Sequence, residues 1–325
     1  MESNSSVARH QKKFITRKKL LYLLDILITI LLILPMYIQW LIVYFMPHEK
    51  KSVKGKLALI TGAGSGLGKA MALKLASLGC NIAIADINKS AAEEAAREVE
   101  NYGVKAKAYQ VDVTKADQII QLRGDIENDF GDVDILINNA GIISVTNLDE
   151  GPNHLEALIK VNLLGVVLMT KYFLEKMKSQ GTGHIVSVSS MGGLHASPYI
   201  CTYTATKFGV NGFMQGINEH LRLEKLDDRI KTTCIFPYYI KTKDVFGDWL
   251  NPNVRIRAME VEYAAKIAIR GILYEKTSLT IPEDIELPTR FFQFMPLKIQ
   301  QKLFRDRILK EYNFRNPNFE PKLSP

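Results

Sequence analysis

The chain has 325 residues, enough for one large domain with attachments and too few for two full enzymes. Hydrophobic residues make up 47% and charged residues 23%, so a disordered chain is excluded. Three cysteines with no CxxC pair exclude a disulfide framework and a cysteine-ligated metal, and fit a reducing compartment. The formal charge of +8 sits at the ends: residues 1–56 carry ten Lys or Arg against three acids and residues 286–325 eight against four, while the body between is acidic. That distribution argues against a nucleic-acid partner and for ends that touch an anionic membrane surface.

Residues 1–19 form a basic tail, with Arg9, Lys12, Lys13, Arg17, Lys18 and Lys19 and no fold of its own. Leu20 to Met46 is apolar except for Asp25 and Gln39. As a straight helix it reaches roughly 40 Å, against a ~30 Å hydrocarbon core. Residues 20–47 are therefore expected to form a membrane anchor, kinked at Pro35 near its middle, as a tilted span or as a hairpin within one leaflet. Lysines follow at 50, 51, 54 and 56, so positive charge does not separate the two flanks. No small-residue cleavage site follows, which speaks against a removed signal peptide.

From Lys56 short β-rich runs alternate with helical stretches. KLALIT is a strand and Gly66 to Gly79 a helix; NIAIAD is a strand and Ser90 to Tyr102 a helix. AKAYQV, DILIN, HIVSVS and KTTCIF are further strands, each about a helix apart. This alternation predicts an α/β fold, a doubly wound parallel sheet with helices on both faces, over residues 48–285. Residues 286–325 form a basic extension. There Ile299, Leu303, Phe304 and Ile308 recur at helical spacing among Lys298, Lys302, Arg305 and Arg307.

The first strand runs into Thr61-Gly62-Ala63-Gly64-Ser65-Gly66-Leu67-Gly68 and then a helix. Glycines at such a turn let backbone approach a pyrophosphate, which helix N–H groups attract. Gly62, Gly66 and Gly68 stand at TGxxxGxG spacing, and this resembles the short-chain dehydrogenase/reductase family, a Rossmann-like fold. The resemblance implies a nicotinamide cofactor held by Gly62, Ser65, Gly66, Leu67 and Gly68. Asp86, ending the second strand, stands where an acid binds the adenosine ribose hydroxyls; a carboxylate there repels a 2′-phosphate and points to NAD over NADP. The resemblance places an adenine contact at Asp112 and the cofactor-lining NNAG motif at Asn138 to Gly141, with Asn139, Ala140 and Gly141 against the cofactor.

Tyr203 and Lys207 form YTATK, four residues apart on one helix face. Removing hydrogen from a carbinol requires a group that takes the oxygen's proton, and a phenol near pKa 10 is a poor base at neutral pH. A nearby ammonium, together with the positive nicotinamide ring, is expected to stabilise the phenolate and lower that pKa. Within the resemblance, Tyr203 is the acid/base and Lys207 tunes it and binds the nicotinamide ribose. Ser190, thirteen residues earlier, holds the substrate oxygen, and Asn162 in VNLLG kinks a helix and holds a water in a proton relay. Pro237 begins the loop after the sixth strand, where Tyr238 replaces the usual glycine, and Thr242 keeps the spacing of a threonine that touches the carboxamide.

Other residues receive plainer readings: His195 as a solvated turn residue, His184 as structural, Cys201 as no nucleophile, and Ser189 as packed or bonded to backbone. The basic, proline-interrupted N-terminus, TGAGSGLG, Asp86-Ile87-Asn88 and the basic-aromatic C-terminus are similar to the epidermal retinol and lipid-droplet 17-beta-hydroxysteroid dehydrogenase branch. That implies a retinoid, steroid or other lipophilic alcohol as substrate. It also implies residence on endoplasmic reticulum or lipid droplets with the catalytic domain facing the cytosol, and a homodimer paired through long helices. The alternative is a catalytically silent coat protein of those surfaces that keeps the fold.

Overall fold

The computed structural model describes residues 18–36, 38–39, 50–144, 154–197, 200–242 and 258–303. Helix α1, Lys18–Met36, is a unit by itself. Its 19 residues give a length of roughly 28 Å. Every described residue of it is exposed, and its Leu and Ile side chains point outward all round. It is long and apolar enough to cross a membrane. Pro35 falls in its last turn, and the kink expected there concerns a stretch of which residue 37 and residues 40–49 lie outside the described ones. The question of hairpin or single span rests on residues 40–49, outside the described ones.

The second unit is built on seven parallel strands. In chain order these elements are β1 (Leu57–Thr61), α2 (Gly66–Ala76), β2 (Asn81–Asp86), α3 (Lys89–Glu100), β3 (Ala106–Gln110), α4 (Ala116–Asp129) and β4 (Ile135–Asn138). There follow α5 (Leu155–Ile159), a π-turn at Lys160–Gly165, α6 (Val166–Gln180), β5 (Gly183–Val188) and α7 (Cys201–Leu223). Next come β6 (Ile230–Pro237), α8 (Val261–Leu273), β7 (Ser278–Ile281), α9 (Glu286–Gln293) and a helix at 297–303, α10. The sheet order is β3-β2-β1-β4-β5-β6-β7.

The strand order explains the apolar runs. Side chains alternate across a strand, and both faces of a parallel sheet carry helices, so the inner runs are greasy on both sides, while the edge strand β3 keeps exposed Lys107 and Gln110. In β1, Ala58 and Ile60 join the core under α2, α3 and α8, while Leu57 and Leu59 join the core under α4, α6 and α7. Helices 155–180 form a long apolar stretch, but Leu158, Val166, Met169, Phe173 and Met177 spend that apolarity in the second core. After β3 the chain returns past β1 to lay down β4. This reversal opens a crevice at the carboxyl ends of β1 and β4, where such sheets bind ligands.

Candidate active site

The cofactor end is a backbone cradle held by side chains from β4. Gly62 has φ +63°, and a Cβ there would lie 2.8 Å from the Ala140 Cα. On Gly68 a Cβ would lie 2.3 Å from the Gly62 carbonyl oxygen and 2.5 Å from Asn139 Nδ2. The positions must therefore be glycine because the two loops touch. Asn139 donates from Nδ2 to the carbonyls of Thr61 and Gly62, both at 3.0 Å, and Thr61 Oγ1 accepts from the backbone N–H groups of Asn139 and Ala140. Thr61 is thus a second clasp of the cradle.

Ser65 is the N-cap of α2, yet its side chain makes no capping bond, and the first turn carries no acid. The positive end of α2 is left for an anion. Asp86 closes the cradle, with Oδ2 accepting from Gly64 N at 2.8 Å and Oδ1 from Asn88 N at 2.9 Å. Asp112 uses Oδ1 locally, accepting from the N–H and hydroxyl of Thr114. A glycine cradle, an uncapped helix end and a carboxylate at its rim fit a dinucleotide.

The chemical end is brought against it by two packing events. Lys207 is buried on α7, and its Nζ donates to the Val188 carbonyl at 3.0 Å, at the end of β5. The same nitrogen lies 5.6 Å from the centroid of the Tyr203 ring. A Cβ on Gly141 would sit 3.3 Å from Asn162 Oδ1 and 3.5 Å from Lys207 Nζ, so the NNAG segment, Asn162 and Lys207 share one space. Ser190 caps the 3₁₀ turn Met191–Gly193 by accepting from Gly192 N at 3.0 Å, and it also hydrogen-bonds to Tyr203. Asn162, fully buried in the π-turn, accepts from Ile142 N and donates to Ile142 O, each at 2.8 Å. The π-turn is the helix distortion that the resemblance implied there.

Burial pushes the Tyr203 phenol up, and the hydrogen bond with Ser190 pulls it part of the way back. Lys207 Nζ, which donates to Val188 O, stands 5.6 Å from the centroid of the same ring. Burial pushes Lys207 itself down to about 8, opposed by the nearby Cys234. Cys234 is raised to about 12 by burial, which leaves it a thiol.

The remaining residues divide. Ser189 donates to the Lys207 carbonyl at 2.9 Å, as expected of a packed serine. Buried His184 shares a hydrogen bond with Thr233 Oγ1 at 2.8 Å, and burial holds it near 3 and neutral, as a structural histidine. Cys201 is exposed at the start of α7 and carries no site. His195 departs from its reading as a solvated turn residue. It is half-buried, its ring meets Phe292 of α9 edge-to-face at 5.0 Å, and Gln293 Nε2 donates to the neighbouring Leu194 carbonyl at 3.3 Å. α9 is thereby latched to the segment that follows Ser190, a contact no local pattern announces.

Pro237 ends β6, and Tyr238 N donates to Ile281 O at 2.8 Å, so the residue in the usual glycine position continues the pairing with β7. Thr242 lies beside the cradle, its Cγ2 3.4 Å from a Cβ placed on Gly66. The loop beyond it, 243–257, is outside the described residues. Among the described residues no cluster of His, Cys, Asp or Glu could hold a metal.

Comparison with known proteins agrees with this geometry. A family model for short chain dehydrogenases matches residues 56–247. Human 17-beta-hydroxysteroid dehydrogenase 13 is 34% identical over 277 residues, covering 84% of this chain and 90% of that one. Mouse estradiol 17-beta-dehydrogenase 11 is 33% identical over 285 residues, covering 87% and 94%. Human epidermal retinol dehydrogenase 2 is 33% identical over 263 residues, covering 80% and 85%. Among solved structures, an NAD+-bound xylitol dehydrogenase superposes with a TM-score of 0.63 at 25% identity, covering 71% of this chain and 99% of that one. A metagenomic short-chain oxidoreductase in complex with NADP does so with 0.59 at 26%, covering 71% and 98%.

Proposed function

The chain belongs to the short-chain dehydrogenase family, an oxidoreductase acting on hydroxyl groups, and from that premise we propose that it interconverts a lipophilic alcohol, steroid or retinoid, and its carbonyl at a membrane surface with NAD. The observation that carries the reading is the meeting of Ser190, Tyr203 and Lys207 beside the glycine cradle. The Gly62–Gly68 turn and the end of α2 would hold the pyrophosphate, Asp86 the adenosine ribose, Asp112 the adenine, and Asn139 to Gly141 the dinucleotide's length. Lys207 would hold the second ribose and Thr242 the carboxamide. Bound nicotinamide supplies the carbon that accepts or returns the hydride.

The protein's own residues handle the proton. In the oxidising direction Ser190 Oγ holds the carbinol oxygen, and ionised Tyr203 takes that oxygen's proton as the carbon loses hydride; the return reaction reverses both transfers. Burial resists formation of the phenolate, so the Ser190 hydrogen bond and a positive ring beside it are what make the base available. NAD is favoured because Asp86 is pinned by two backbone donors at the rim, where it would face a 2′-phosphate.

The lipid part of the reading draws on the two ends. α1 is apolar all round, and α9 and α10 expose Leu287, Phe291, Phe294 and Leu297 beside Arg290, Lys298 and Lys302. Residence on endoplasmic reticulum or lipid droplets, with the domain on the cytosolic side, accords with the three free cysteines. Exposed Ile159, Leu164 and Phe208 on the long helices suit a second copy of the chain. A silent surface protein would need no such assembly of acid/base groups.

The test compares membranes carrying the wild type or Tyr203→Phe for NADH formation from all-trans-retinol and estradiol. Formation by the wild type and its loss in the variant are expected; equal signals from both overturn the assignment.

A further inference from the structure

The hydrogen bonds around Asn162 close on a residue that the family motifs pass over. Thr206 is 1% exposed and sits on α7 on the side that meets the π-turn. A threonine hydroxyl has one hydrogen to give. Thr206 gives it to the carbonyl of Tyr203 at 2.7 Å. Toward Asn162 it can therefore only accept, and Asn162 Nδ2 donates to it at 3.3 Å. The other Nδ2 hydrogen goes to Ile142 O, and Oδ1 takes Ile142 N. The direction of every bond is set: turning the amide over would oppose like groups at Ile142.

We propose that Thr206 is a positioning residue for Tyr203, a clamp whose hydroxyl ties the first turn of α7 to the π-turn that carries Asn162. The inference rests on the reading of Tyr203 as the acid/base. α7 is held on its other side by the end of β5, through Ser189 Oγ to Lys207 O at 2.9 Å and Asn211 Nδ2 to Gly193 O at 3.2 Å. The hydroxyl adds a hydrogen-bonded tie on the flank where α7 otherwise meets the π-turn by apolar packing, Gly209 against Leu163, and losing it frees the first turn of α7 to shift. Such a shift would carry the Tyr203 hydroxyl away from Ser190, and sub-ångström errors at reacting atoms are costly. Loss of the hydroxyl also strands a buried amide N–H on Asn162, which loosens the grip on Ile142. The π-turn suits this task because an inserted residue in a helix is where backbone geometry can be re-aimed.

Thr206→Val keeps the shape and removes the hydroxyl; Thr206→Ser keeps the hydroxyl. With the full chain in membranes, and all-trans-retinol and estradiol as probes, Thr206→Val is expected to lower kcat by about tenfold or more. The KM for alcohol and the Kd for NADH, read by nucleotide fluorescence, are expected to stay within about twofold, and Thr206→Ser to restore kcat to within about twofold. Amide hydrogen exchange at Ile142 and residues 160–165 is expected to quicken in the valine variant and not in the serine one. Should the valine variant fail to fold, Thr206→Ala takes its place in the series. Wild-type kcat in the hydroxyl-free variant, with Tyr203→Phe inactive, overturns the clamp and leaves the acid/base reading standing. Equal loss in the serine and hydroxyl-free variants also overturns it. Activity in Tyr203→Phe overturns the acid/base reading itself.

Discussion

Lys207 lies beneath Tyr203, its Nζ 5.6 Å from the ring centroid, while that same nitrogen donates to the carbonyl of Val188 at 3.0 Å. A buried ammonium that faces a ring and a neutral carbonyl has exchanged water for weaker partners, and burial pushes it down to about 8. Its burial is a cost to the fold.

That placement sets a pH signature. An unfolded lysine titrates near 10.5, the folded one near 8, so between these values the unfolded chain binds more protons and stability rises with pH. Below 8 both states are charged and the destabilisation is constant. Lys207→Met is therefore expected to unfold at a higher temperature than the wild type at pH 7, by a few degrees, with the gap narrowing as pH rises above 8. Thermal unfolding at several pH values checks this; a variant less stable at pH 7 would contradict it.

Ser190 combines a small structural duty with a large proposed chemical one. Its cap on Gly192 N closes a three-residue turn, and losing it costs about 1 kcal/mol. Holding the substrate oxygen and the Tyr203 hydroxyl is worth far more. Ser190→Ala is expected to lower kcat by roughly a hundredfold or more while the unfolding temperature changes by a few degrees. Near-normal kcat in steady-state assays would remove Ser190 from the reaction.

Cofactor choice is open to a direct measurement. Asp86 is held at the cradle rim by Gly64 N and Asn88 N, so its charge cannot swing away from an incoming phosphate. The wild type is expected to bind NADH more tightly than NADPH, and Asp86→Ser to shift that ratio toward NADPH by about tenfold or more. Nucleotide fluorescence titrations read the ratio. No shift on removing the carboxylate would defeat the argument for NAD.

The C-terminal helices should bind lipid and also brace the site, and two variants separate these duties. Phe291 and Phe294 are 67% and 88% exposed, whereas Phe292 packs on His195. Deleting 287–325, or changing Phe291 and Phe294 to Ser, is expected to weaken flotation with anionic liposomes. Phe292→Ala should leave flotation intact and raise the KM for the alcohol, because the segment after Ser190 loses its latch. Unchanged flotation of the truncated protein would exclude the surface role.

Much of the fold was legible because its signals are local. Six strands match their runs to within a residue or two, five because both faces must be greasy and the edge strand β3 because β-prone residues follow a helix and a turn. The seventh, Ser278–Ile281, was missed: four residues carry too little pattern, and pairing with β6 is what makes them a strand. The departure at Tyr238 was visible as a missing glycine, but its bond to Ile281 was not. Thr206 lies inside YTATK, but no local pattern marks it, because its hydroxyl gains meaning only opposite Asn162.

By itself the sequence determined the order of strands and helices, the glycines at which backbone approaches backbone, and the placing of Tyr203 and Lys207 on one face of α7. Each is set within a few residues, by side-chain period or by the absence of a Cβ. Tertiary structure alone decided that Thr206 meets Asn162 across 44 positions, that Lys207 donates to the Val188 carbonyl, and that His195 is covered by Phe292. Those outcomes depend on where helices settle against the sheet, and that is a property of the whole packed core.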